Sequence, residues 1–328
     1  MKCFILFLLL IPFPSFAQSI EEIDLLTKIN VSNSIPSELI STRSVVIYQN
    51  SFNKKELEET QSFFQQTGID AVAYFEVARM LAGEDTRKAY ATYFSARMIK
   101  YLIFLQKNEN GYQYIFCTFS GTKELIEKNS NAWKQENTSL NELLKTIYRF
   151  AVSNLNKQNF LVNDLPEMDI SINPFIGRIN ETFPVEVKSF KTAIPKFGNT
   201  EHDAELEAYF KENFPLKYEL VDADLAEDAL YAKGFRTILR YVHTRGITAK
   251  DILGYDITQV ARAIPTATYV NNEVQIKTIP ASEIIYKFYF KNLEYGNIFL
   301  GNKWDADIRW QDALRNYIQA YKINQKIN

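Results

Sequence analysis

The chain is poor in cysteine and histidine. Two cysteines occur in 328 residues. Cys3 lies at the extreme N-terminus and Cys117 stands alone in the body of the chain. One cysteine cannot close an intramolecular disulfide, so stability must come from apolar packing. Cys117 sits in the run Tyr114-Ile115-Phe116-Cys117-Thr118-Phe119, which predicts a buried, inert thiol. The only histidines are His202 and His243. The chain has no His-Glu-x-x-His, no Gly-rich phosphate loop, no Gly-x-Ser-x-Gly and no Cys-x-x-Cys, which excludes the common motif-bearing enzyme classes. Charge of neither sign dominates. With 37 basic and 39 acidic residues interspersed, nucleic acid is not an expected partner. No apolar run is long enough for a transmembrane helix. Glycine and proline are sparse, 11 and 10 residues, while aromatics make up 14%. That composition argues against disorder and for well-filled cores.

Residues 1–17 read as a secretory signal. Lys2 supplies the positive start, Phe4 to Leu10 a short apolar core, and Ser15-Phe16-Ala17 the small residues of a cleavage site. The core is too short to span a bilayer. Cys3 precedes it and so is not placed for lipid attachment. Export to the periplasm or the exterior follows as the expected localisation. Residues 18–42 form an N-terminal segment.

The rest is written twice. A first α/β domain is expected over residues 43–155 and a second over 188–328, with a Pro-containing connector at 156–187. Each copy has the order β-α-β-α-β-β-α, so the predicted fold is a tandem duplication of a small α/β sandwich. Val45-Val46-Ile47 and Thr192-Ala193-Ile194 open the copies. Phe63-Phe64 and Tyr209-Phe210 match in the first helix, and Tyr112 and Tyr286 in the fourth strand. In the closing helix Leu140, Leu143, Leu144 and Ile147 fall on Trp310, Ala313, Leu314 and Tyr317. Both sets follow i, i+3, i+4, i+7, the stripe by which a helix packs on a sheet. Trp133 and Trp304 shortly precede these helices.

This order resembles the small periplasmic domain of the curli secretion family, of the amino-terminal domain of TolB-like proteins, and of the outer-membrane activators of peptidoglycan synthases. The residues that carry the resemblance are Lys191 to Asn199 (a first strand and its loop), Tyr218 to Asp222, and Tyr231 to Arg240. The first copy lacks the Pro-x-Phe-Gly-Asn segment after its first strand. The resemblance implies a non-catalytic envelope protein that contacts an envelope or cell-wall-associated partner, with no cofactor.

Several residues are candidates for chemistry or contact. Asp222, Asp224, Glu227 and Asp228 are an acidic cluster at a strand-to-helix junction. They suit either a divalent cation or, more simply, a helix start whose dipole favours acids. His243 ends a strand, with no second histidine nearby to make a metal site. Arg236 and Arg240 share one face of that strand, by default a solvated one. The copies differ most between their third and fourth strands. A few residues around Gly111 make the link in the first copy, and residues 246–281 make it in the second. This insertion contains Ile252, Leu253 and Tyr255, then a strand-like Glu273 to Lys277. Long links tend to be functional, so the insertion is expected to be a binding arm or an added hairpin touching the other copy. The competing reading is a secreted hydrolase, or a small-ligand binder, with a site between the copies that uses Asp222 and Asp224.

Overall fold

The computed structural model describes residues 25–327 apart from 157, 160, 161, 169, 259–261, 271 and 272. The expected signal, residues 1–17, lies outside the described residues.

The first half runs β1 (Asn30–Ser32), β2 (Arg43–Tyr48), α1 (Lys54–Thr67), β3 (Asp70–Glu76), α2 (Val77–Met80), α3 (Glu84–Ala96), β4 (Ile99–Asn108), β5 (Gly111–Thr118), β6 (Asn131–Asn137) and α4 (Leu140–Asn154). The second half follows with β7 (Ile179–Asn180), α5 (Glu186–Ser189), β8 (Thr192–Pro195), α6 (Thr200–Asn213), β9 (Tyr218–Val221), α7 (Glu227–Ala232) and β10 (Thr237–Arg245). It continues with α8 (Gly246–Ile252), β11 (Ala263–Val270), β12 (Glu273–Pro280), β13 (Ile284–Asn292), β14 (Ile298–Phe299) and α9 (Trp310–Gln325).

The fold is α/β, built on two six-stranded mixed sheets. Their orders are β1-β6-β5-β4-β2-β3 and β7-β14-β13-β10-β8-β9. Position by position the strands run in the same senses, parallel at both outer pairs and antiparallel across β4–β5 and β10–β13. Each sheet has two strands more than the sequence pattern predicts. β1, β6, β7 and β14 are short or carry mostly polar residues, so no period-2 apolar signal marks them.

Local chemistry explains the helices. Asn53 caps α1 by accepting from Glu56 N at 3.0 Å, while the Glu56 carboxylate accepts from Asn53 N at 2.9 Å. This reciprocal box is worth roughly 1 kcal/mol. The helix ends at Gly68, whose φ of 90° is left-handed, a conformation that glycine adopts without steric cost. α4 buries Leu140, Leu143, Leu144 and Ile147 beside α1 on one face of the first sheet, and α3 covers the other face with Tyr90, Ala91 and Phe94. α9 buries Trp310, Ala313, Leu314 and Tyr317 against the second sheet. The eight aligned positions of the two closing helices therefore all face a core.

The connector straps the first half. Glu167 lies alongside β3, accepting from Tyr74 N at 2.8 Å and donating its N–H to Val72 O at 3.0 Å. That covers an edge strand which would otherwise offer open backbone groups. Cys117 is wholly buried, and burial pushes its thiol up to about 12. In a Cys3→Ser chain, a thiol reagent should find no reactive group in the native protein and one after denaturation. Native labelling faster than unfolding would show that the site is open.

Candidate functional site

Two places combine polar chemistry with a defined position in the fold: the junction between the halves, and the insertion.

The junction forms where α2 and the start of α3 lie on β10 and β13. The backbones approach closely. A Cβ on Gly83 would stand 2.6 Å from Tyr241 O, so only glycine fits there. His243 N donates to Ala82 O at 2.6 Å, and Thr244 Oγ1 donates to Ala78 O at 2.8 Å. Arg245 pairs with Glu76, and Arg79 with Asp251.

A buried charge network lies beneath. β10 and β13 pair so that Arg240 opposes Tyr289 and Ile238 opposes Lys291, which puts Arg240, Tyr289 and Lys291 on one sheet face. Asp85, in the first turn of α3 and 3% exposed, accepts from Tyr289 OH at 2.7 Å and from Lys291 Nζ at 2.5 Å. Lys291 reaches Glu227 at 3.0 Å, and Arg240 donates to Glu227 at 3.1 Å. Two anions thus meet two cations. Burial alone would raise the Asp85 carboxyl. The adjacent Lys291 and Arg240, with the bonds from Lys291 and Tyr289, hold it below the ordinary value instead. Burial likewise opposes charge on Lys291, but Asp85 and Glu227 keep its ammonium group above the ordinary value. Every charge has a partner, which suits a lock between the halves better than a group poised for proton transfer.

Above the network is a small cleft at the carboxyl end of β8, between β8 and β10. In an open α/β sheet, ligands favour this crossover point. Glu84, Arg87, Lys196, Arg240 and His243 line it, and its volume is about 130 Å³. That is below the roughly 300–1,000 Å³ of typical small-molecule sites. Glu84 is held by Lys123 at 2.6 Å and by Arg87 at 3.5 Å. A larger cleft of about 640 Å³ lies in the first half between α1 and the connector, lined by Tyr48, Lys54, Glu58, Gln61, Asp164 and Leu165. Gln61 there is tied to Tyr74 and to Asn163 O.

No family model, curated protein or solved structure matches the chain.

The structure separates the residues singled out by sequence. Arg240 is 7% exposed and belongs to the buried network, so the expected solvated sheet face is corrected at this position. His243 lines the small cleft and stacks on Tyr286, its register partner, with ring centroids 3.8 Å apart. Asp222 and Asp224 are exposed and lie near different lysines, Lys196 at 3.5 Å and Lys123 at 3.9 Å. Among the described residues, no group of three or more His, Cys, Asp or Glu side chains is placed to hold a metal ion. Ile252 and Leu253 are buried with Ala82, Val242 and Tyr289, which places them in a core rather than on a contact surface. Tyr255 packs edge-on against Trp304 at 5.3 Å, with the Lys250 ammonium group over both rings. Burial raises the Tyr255 phenol above its ordinary range.

The insertion has two parts. α8 is an internal wedge, joined to the first half through Asp251 and Arg79. β11 and β12 form a separate two-stranded sheet. The far edge of β11 is bonded to the body: Ala267 N donates to Trp304 O at 2.7 Å, Thr266 Oγ1 to Ala306 O at 2.7 Å, and Tyr269 N to Asn316 Oδ1 at 3.2 Å. Among the described residues β12 has no strand neighbour other than β11, and seven of its eight residues are exposed.

Sequence reasoning missed Asp85, Tyr289 and Lys291, and also a buried pair, Lys287 with Asp305. One signal was available. Lys287 and Lys291 interrupt the apolar run of β13 on the same face, where a lysine must find an anion or stay in water.

Proposed function

We propose that the protein is a non-catalytic exported component whose task is protein–protein contact, made through the β11–β12 hairpin of the insertion. The observation that carries this reading is the open edge of β12. Natural sheets shorten, cover or twist away such edges. β1, β7 and β9 are short, and β3 is strapped by the connector. β12 is eight residues long and exposed. An exposed edge takes up an extended partner strand through backbone hydrogen bonds.

The junction supports the same reading. Its ionic lock holds the halves as one platform for the hairpin. Export rests on Lys2, the apolar Phe4–Leu10 stretch and Ser15-Phe16-Ala17, and an envelope or cell-wall-associated partner rests on the resemblance to the small periplasmic domain families. The matching strand orders favour duplication as the origin of the halves. A hydrolase using Asp222 and Asp224 has less support, because these carboxylates are exposed on the surface and lie near different lysines.

The test is in-cell cross-linking and affinity isolation of the tagged protein, comparing wild type with Val274→Lys/Ile276→Lys. Both side chains are exposed, so the variant keeps the fold. Loss of the cross-linked products in the variant is the expected outcome. An identical set of products with and without the substitutions would rule the hairpin out as the contact surface.

A further inference from the structure

We infer that β12 pairs with β12 of a second copy, antiparallel about a twofold axis at Gln275, to make a continuous four-stranded sheet. This rests on the reading of the hairpin as a contact surface and names its occupant.

The sequence of the edge is self-complementary. In antiparallel pairing centred on Gln275, Glu273 faces the partner's Lys277 and Val274 faces the partner's Ile276. Gln275 faces its own copy. Each unlike contact occurs twice, as a twofold interface requires. Glu273 and Lys277 are opposite charges placed directly across the pair, which favours this register and penalises a slip that would bring like charges together. Lys277 bonds the buried Asp307 at 2.5 Å and is still 42% exposed. Its ammonium group therefore sits at a fixed place with room for a second carboxylate.

The two faces of β12 differ as the pairing needs. Gln275, Lys277 and Ile279 point the same way as Thr266 and Ile264 of β11, toward the body. Val274 and Ile276 lie on the other face, opposite Tyr269 and Ala267. Those two β11 residues are buried against the α9 core, while Val274 is 42% and Ile276 65% exposed. An apolar face that begins in the core thus runs on into solvent. A second copy would continue it with its own Ile276 and Val274, giving four aliphatic side chains in a row. Pro280 has no N–H to donate and closes the ladder at one end.

Register-specific cross-linking tests this in the purified protein. A disulfide needs Cα atoms within about 7 Å, and directly opposed strand residues lie about 4.5–5.5 Å apart. Gln275→Cys should form a covalent dimer with itself under mild oxidation. Val274→Cys and Ile276→Cys should each form no covalent dimer when oxidised alone. Mixed together they should cross-link, because only the unlike pair is opposed. Sedimentation should show concentration-dependent dimers that Ile276→Lys weakens at least tenfold, with an unchanged circular dichroism spectrum as the control for folding.

A monomer at all concentrations, with no Gln275→Cys dimer, overturns self-pairing. If Val274→Lys/Ile276→Lys then still removes a cross-linked partner in cells, the hairpin remains a contact surface for another protein. If it removes none, both readings fall. A dimer that cross-links equally at all three positions overturns the twofold register.

Discussion

Asp85→Asn should cost roughly 3–5 kcal/mol of stability, because it breaks a buried ionic network from one side. The substitution keeps the volume and removes one of two anions. Lys291 and Arg240 are left facing Glu227 alone, and Tyr289 OH loses its carboxylate acceptor. Desolvation has already been suffered by both cations, and half of its compensation disappears. Since Asp85 belongs to one half and its partners to the other, the loss should fall on the junction. Urea unfolding should move to lower denaturant and split into two transitions as the halves come apart. Glu84→Gln, one residue away but in a more exposed ion pair, should change stability by no more than about 1 kcal/mol. pH gives an independent check. The Asp85 carboxyl is held below its ordinary value in the folded protein. Its contribution is therefore present above the unfolded carboxylate range, about 4, and is lost as the pH falls through the folded value. The Asn variant should lack that acid-limb loss. An Asn variant as stable as wild type would show that the network does not hold the halves together.

The sequence was most legible where a local rule acts alone. α4 begins at Leu140 and α9 at Trp310, as their apolar stripes predict. The strand run Val45-Val46-Ile47 was visible as a short apolar segment. Edge strands were invisible because they bury little. β6 buries only Ala132 and Trp133 of its seven residues, so Trp133 read as a prelude to a helix. The insertion was read by its apolar content, which marked Ile252 and Leu253 as contact residues. Burial shows why that signal misleads. An apolar residue in an inserted segment serves the segment's own packing first, and the exposed edge lies twenty residues further on in a strand with alternating polar residues. The pairing across the junction could not be read. Asp85 and Lys291 are 206 positions apart, and only tertiary structure brings a first-turn aspartate under a strand lysine.

The second large effect belongs to Lys287 and Asp305, fully buried within the second half and 2.8 Å apart. Lys287 Nζ also donates to Leu300 O at 2.6 Å and to Phe288 O at 3.0 Å, and lies 4.7 Å from the Tyr317 ring centre. Burial opposes charge on both partners. It pushes the Asp305 carboxyl up to about 6 against the pull of Lys287, and it lowers the Lys287 ammonium group. Lys287→Met should cost roughly 3–5 kcal/mol, since it strands a carboxyl group in the core. Adding Asp305→Asn should recover part of that loss, because the stranded group is then no longer ionisable. The remaining cost is that of two carbonyls without their donor, about 1–3 kcal/mol each. Chemical denaturation of the two single variants and the double variant closes the cycle, and strictly additive losses would show that the pair is not coupled. The pH trend has the opposite sign to that of Asp85. A carboxyl whose folded pKa is raised binds its proton more tightly in the native state, so stability should increase as the pH falls from about 6 toward 4. The double variant should lose this rise and keep the acid-limb loss at Asp85, which separates the two buried carboxylates in a single titration of stability against pH.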